Sequence, residues 1–255
     1  MTGTRWDLIA GLLLVAVGCS PSGTVIDTPG SVGSSSTSGA PVSTSVVGTT
    51  ATPTTPAATT PSTLAGRNVD DGPSEGVSLA VIGVEHDDVL NVRSGPGPDE
   101  PIVATAEPTS AGLIALGRTR ALPDGALWTE VRVRQMDGWV HLGFVAALAG
   151  TDDVTSAVVA SLGEYPTSPS MREMGRLVAT VFASSEPASR IVMVAPAAAG
   201  EIQDVTVDVV GVGDDSIRGY RVHVFAVAVS DGLSFYSAEL TTLCTRGVTA
   251  AGLCA

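Results

Sequence analysis

Three histidines, three cysteines and one acidic tetrapeptide are the side chains from which nucleophilic or metal chemistry would have to be built. His86, His141 and His223 stand far apart, and none forms an HExxH or HxH motif. No segment therefore supplies the clustered His and acidic ligands of a zinc hydrolase. Glu85-His86-Asp87-Asp88 is the densest polar cluster and reads as a solvated loop ahead of a strand. A Ser nucleophile elbow of GxSxG form is absent. No segment points to the paired carboxylates of a glycosidase, although sequence alone leaves such a pair open. A cysteine peptidase needs a thiol beside a His base, and all three cysteines have other uses. The expectation is a protein with no catalytic residues, no metal site and no cofactor.

Cys19 has its use at the N-terminus. Arg5 gives a weakly positive start, and residues 8–17 form a ten-residue apolar run. A bilayer span needs ~20 residues, whereas a run of this length suits a signal-peptide core. The run ends in Ala16-Val17-Gly18-Cys19. This resembles the lipobox of bacterial lipoproteins, with Ala16 where that family usually has Leu. The resemblance implies cleavage after residue 18 and acylation of the Cys19 thiol, which anchors the chain to a membrane because several acyl chains hold firmly where one does not. The alternative is an ordinary cleaved signal peptide with an incidental Cys19. Either way the chain is exported, to the extracytoplasmic face of a bacterial cell envelope. Export places Cys244 and Cys254, with nine residues between them, in an oxidising compartment, so a disulfide is expected between them. It would pin the C-terminal tail to the last strand.

Behind the signal peptide the composition excludes several partners. Acidic residues outnumber basic ones in every segment: 5 against 2 in residues 1–76, 9 against 5 in 77–148 and 12 against 6 in 149–255. Phosphate binding needs a cationic footprint, so nucleic acid is not expected. Electrostatic attachment to anionic lipid is excluded on the same ground. Residues 22–66 are dominated by Ser, Thr, Gly, Pro and Ala and contain one charge, Asp27. Such a segment buries too little apolar surface to offset its ordering entropy. Residues 19–76 are expected to be a disordered tether, with an r.m.s. reach on the order of 40 Å.

Residues 77–148 read as short strands punctuated by turns. In residues 89–93, Leu90 and Val92 fall on one face, Asn91 and Arg93 on the other. Ser94-Gly95-Pro96-Gly97-Pro98 is a turn signal, and Asp124-Gly125 and Asp137-Gly138 are hairpin dipeptides. This pattern predicts a small all-β barrel. The run Leu90-Asn91-Val92-Arg93-Ser94-Gly95-Pro96-Gly97, the Trp128-Thr129-Glu130-Val131 strand and Gly138-Trp139-Val140 resemble bacterial SH3 domains. The chain departs from that family at Glu107-Pro108-Thr109-Ser110, where a Gly-containing turn is more usual. The resemblance implies an SH3-like barrel that binds cell-wall peptide or acts as a targeting or spacer module. Asn91, Arg93, Trp128 and Trp139 are the candidate ligand-binding residues. The whole signature also admits a purely structural reading.

Residues 149–255 predict an α+β domain, a helix on an antiparallel sheet. A short helix is expected within 151–162, capped by Thr151 or Asp152. Ser168-Pro169 reads as the N-cap and first residue of a second helix reaching about residue 184, with Met171, Met174, Val178, Val181 and Phe182 on one face. Strands are expected at 190–195, 202–212, 220–230 and 233–243. Val205, Val207 and Val209 face one way, Asp204, Thr206 and Asp208 the other. Taken together, these readings predict a non-catalytic, lipid-anchored envelope protein whose SH3-like domain binds cell-wall peptide or an envelope protein. The alternatives are a scaffold or sensor in which the C-terminal domain binds the partner, and a wall-active hydrolase.

Overall fold

A computed structural model describes residues 64–255. The signal peptide, Cys19 and most of the expected tether lie outside the described residues. The chain is mainly β. In the first half, β1 (Arg67–Val69), β2 (Ser78–Val81), β3 (Leu90–Arg93), β4 (Ile102–Ala106), β5 (Ala111–Ala121), β6 (Leu127–Val133) and β7 (Met136–His141) lead into a 3₁₀ turn, Leu142–Phe144. Then come β8 (Val145–Asp153), α1 (Thr155–Leu162), β9 (Thr167–Ser168) and α2 (Met171–Thr180). β10 (Arg190–Ala198), β11 (Ile202–Val210), β12 (Ile217–Val229) and β13 (Gly232–Cys244) complete the chain. All strands belong to one antiparallel thirteen-stranded sheet, in the order β10-β11-β12-β13-β8-β2-β5-β6-β7-β3-β4, with β1 on β5 and β9 on β13.

This architecture corrects the expectation of a barrel followed by a separate α+β domain. The boundary drawn at 148/149 falls inside β8, which pairs with β2 through Ala146 and Val145 and with β13 through residues 147–153. A strand shared by two ladders cannot act as a linker. The two cores are separate, and β13 contributes to both. Val205, Val207, Val209, Val222 and Val224 form one with Met171, Met174 and Val178 of α2, while Leu79, Val81, Leu90, Val92, Val131 and Val140 form another. Cys244, at the end of β13, is fully buried in the second of these. The Cys244–Cys254 disulfide is present, and it ties the tail to a strand end that plugs the first half's core.

Local differences have local causes. Residues 64–76 do not belong to a tether. β1 pairs with β5, and the Arg120 guanidinium donates to the Leu64, Ala65 and Gly66 carbonyls and to Asn68 Oδ1. Asp137-Gly138 is not a hairpin turn, because Val133 pairs with Met136 and the turn is Arg134-Gln135, with Arg134 at φ 57°. Asp137 instead bonds Arg132 across the ladder. Gly138 is required by close approach: a Cβ there would stand 2.6 Å from Val92 Cγ1. The first helix starts later than expected, since Thr151 and Asp152 are in β8 and Asp153 Oδ1 accepts from the Thr155 N–H. The second is capped by Ser170, whose Oγ accepts from the Glu173 N–H. Ser168 is not free for that role because it pairs with Leu233 in β9. The helix ends at Thr180, and Val181 and Phe182 follow it partly buried.

Candidate functional site

A groove of about 320 Å³ opens where the first half meets the start of β10. Its walls come from the segment linking β2 to β3, from β3 itself, from Trp128 on β6, from His141 and Phe144 around the 3₁₀ turn, and from Arg190. The alternation of β3 explains part of this lining. Leu90 and Val92 enter the core, so Asn91 and Arg93 stand half-buried on the other side. Cross-strand pairing explains another part: Trp128 and His141 are direct partners on β6 and β7, and their rings meet edge to face at 5.7 Å. Phe144 follows at 5.5 Å from His141, and the Arg190 guanidinium lies 5.6 Å above the Phe144 ring. The result is an aromatic wall ending in a cation.

The sequence candidates divide. Asn91, Arg93 and Trp128 come together in this groove, whereas Trp139 is absent from its walls. Trp139 is 2% exposed and lies under the Arg118 guanidinium, which itself makes a bidentate ion pair with buried Glu130. Its role is packing. Arg93 is partly committed, because its Nη1 donates to the Glu100 carbonyl at 2.6 Å and closes the 94–100 turn. Trp128 is 6% exposed, and its indole Nε1–H has no hydrogen-bond partner. An unpaired buried donor costs about 1–3 kcal/mol.

His141 supplies a second donor. Its Nδ1 accepts from the Gly143 N–H at 3.1 Å, which places the proton of the neutral ring on Nε2. Burial, and then the nearby positive charge of Arg218, push the His141 pKa down, with Asp124 opposing, so the neutral form holds. Arg218 is part-buried, which lowers its own pKa, and its Nε has no partner.

Sequence reasoning missed the group that fixes the groove's floor. Asp208 was placed on the polar face of β11, yet it is fully buried. Its Oδ1 accepts from Arg221 Nε at 2.8 Å, and its Oδ2 accepts from Arg221 Nη2 at 2.9 Å and from the Gly83 N–H at 2.8 Å. Arg221 Nη2 also donates to the Val81 carbonyl. Gly83, at φ +61°, lies against Arg190, and a Cβ there would come within 2.9 Å of Arg190 Nη2. Alternation gave the face of Asp208, but nothing in the local sequence tells that residues 81–83 cover it. Arg190 was missed because it was read only as the start of a strand.

Elsewhere, His223 is half-exposed on β12 and bonds Asp204 at 2.8 Å. His86 donates its backbone N–H to the Met193 carbonyl, which fastens the 85–88 loop to the edge of β10. Among the described residues, no group of three or more His, Cys, Asp or Glu side chains is placed to hold a metal ion. Two shallower depressions have larger volumes, about 460 Å³ beside the start of α2 and about 520 Å³ beside β1. Their walls carry fewer converging polar side chains, chiefly Arg172 and Gln203 in one and Arg67 in the other. No family model, curated protein or solved structure matches the chain.

Proposed function

We propose that this is a non-catalytic protein of a bacterial cell envelope, exported, lipid-anchored through Cys19, and binding a peptide in the groove beside β3. The peptide belongs to the cell wall or to an envelope protein. In this reading strands β2 to β8 are an SH3-like barrel fused into the larger sheet. The observation that carries the proposal is the convergence of Asn91, Arg93 and Trp128 on one groove with His141 and Arg190. A partly apolar cleft with a few fixed donors suits a small peptide ligand. Chemically, these groups hydrogen-bond and stack.

Co-sedimentation of the intact protein with purified cell wall tests this reading. Asn91→Ala and Trp128→Phe, which removes the N–H and keeps an aromatic ring, are expected to weaken retention by about 2–10-fold each. Arg172→Glu, in the depression beside α2, should leave retention unchanged. Weakening by Arg172→Glu alone would move the function to the C-terminal half. No retention at any salt concentration would overturn the cell wall as the source of the peptide.

A further inference from the structure

We infer that the groove is a carboxylate site, in which the Arg190 guanidinium receives the negative charge of the bound peptide while the Trp128 and His141 N–H groups orient it. The inference rests on the peptide-groove reading above and names the chemistry that the ligand must carry.

The chain has 26 acidic residues and 13 basic ones, so an arginine without a carboxylate is not short of possible partners. Arg118, Arg132 and Arg221 are each paired with an acid. Most of the other described arginines make no ion pair; of these, Arg93 and Arg190 line the groove and Arg218 stands near His141. Two acids, Glu85 and Asp88, also line the groove, and neither makes an ion pair with Arg190. Asp88 Oδ1 accepts the Val89 N–H at 2.7 Å. Glu85 also lines a cavity of about 40 Å³ on the far side of its loop, beside Arg172 and Arg176.

Two further side chains on the walls, Trp128 and His141, offer donors. The Trp128 indole can only donate, and it is more than nine-tenths buried with its N–H unpaired. His141 has its acceptor nitrogen occupied by the Gly143 N–H, so only its N–H is left to offer. Donors held in place beside a low-dielectric aromatic wall bind a charged oxygen more strongly than a neutral one. Arg190 is also held in place, between the Phe144 face and the bare backbone of Gly83. Gly83 is in turn fixed by buried Asp208. The volume of about 320 Å³ admits a short peptide end rather than a folded surface.

The test uses the intact chain in mild detergent and three probes: acetyl-Ala-Ala with a free carboxylate, its C-terminal amide, and acetyl-Glu-Ala-amide. Binding is read from the Trp128 indole N–H resonance, assigned through Trp128→Phe. The free acid should bind about 10–100-fold more tightly than the dialanine amide, the range of a charge-assisted contact. Arg190→Met, at an exposed position, should bring the ratio of acid to amide affinity to about 1, whereas a merely structural role would weaken both probes alike and keep the ratio. Binding of acetyl-Glu-Ala-amide at the level of the acid would assign the carboxylate to a side chain; its absence would assign it to a chain terminus. Equal binding of acid and dialanine amide, with wall retention still weakened by Asn91→Ala, overturns the carboxylate inference alone. Loss of wall retention overturns the cell wall as the source of the peptide as well. No perturbation by any of the three peptides overturns the inference.

Discussion

Replacing Asp208 by Asn tests both the stability and the unity of the fold. The carboxylate is fully buried, the Arg221 side chain is 12% exposed, and three hydrogen bonds converge on the acid from Arg221 and the Gly83 N–H. Asn has one acceptor oxygen. In either orientation its NH₂ faces a guanidinium N–H, and at the Oδ2 position the Gly83 N–H as well, donor against donor. Arg221 is left with an uncompensated charge in the interior. Breaking a buried pair from one side costs about 3–5 kcal/mol. For a folded region of this size that corresponds to a Tm loss of roughly 6–20 °C. The assay is denaturant unfolding followed both by far-UV dichroism and by tryptophan fluorescence, since Trp128 and Trp139 lie in the first half of the sheet. The two signals should coincide in the parent protein because β8 belongs to both ladders. The double replacement Asp208→Leu with Arg221→Met removes both charges and should recover most of the loss. A cost below about 1 kcal/mol for Asp208→Asn would refute the assignment of this pair as a buried lock. So would a double variant no better than the single one.

Three further outcomes follow from the geometry. Replacing Cys244 and Cys254 together by Ser frees a short C-terminal loop and should cost about 2–3 kcal/mol on chain-entropy grounds, read as a lowered denaturant midpoint that reductant does not shift further. Because the folded pKa of His141 lies below its ordinary 6.5, the unfolded chain binds a proton that the folded one refuses. Its contribution is present above about pH 6.5 and is lost as pH falls towards the folded value. Stability measured across that range should therefore fall more steeply in the parent than in His141→Gln, and equal slopes would refute the assignment. Gly138→Ala would push a Cβ to 2.6 Å from Val92 Cγ1 and 2.9 Å from the Arg93 carbonyl. It should cost about 1–3 kcal/mol in the same unfolding assay, as overpacking does.

What was legible in the sequence was whatever local pattern alone determines. Strict alternation placed Leu90 and Val92 inward and Asn91 and Arg93 outward, and it put Val205, Val207 and Val209 under α2. The two C-terminal cysteines announced their bond. What could not be read depended on surfaces contributed from far along the chain. Arg67-Asn68-Val69 has no strand pattern and becomes one because β5 offers an edge and Arg120 gathers the preceding carbonyls. Residues 145–153 contain Gly150 and two Asp, poor material for a strand, and are held extended by β2 at 145–146 and by β13 over 147–153. Trp128 and Trp139 looked equivalent, and only the ladder shows that one turns to the groove and the other lies under Arg118.

The position of the groove follows from the same long-range pairing. A small barrel alone would present β3, Trp128 and His141 with only its own loops to complete a site. Here the edge of β10 receives the 85–88 loop through the His86 N–H, and β11 receives Gly83 through Asp208. The segment between β2 and β3 is thereby held at Gly83 and His86 by the second half, and Arg190 is delivered to the groove's mouth. Affinity for the proposed ligand at Asn91 is then expected to depend on Asp208, more than a hundred positions away. A barrel excised at 148 would lose Arg190, the Asp208 lock, Cys244 from its core and the partner strand of β8 in a single cut. The second half acts less as a neighbouring module than as the wall that closes the first half's site.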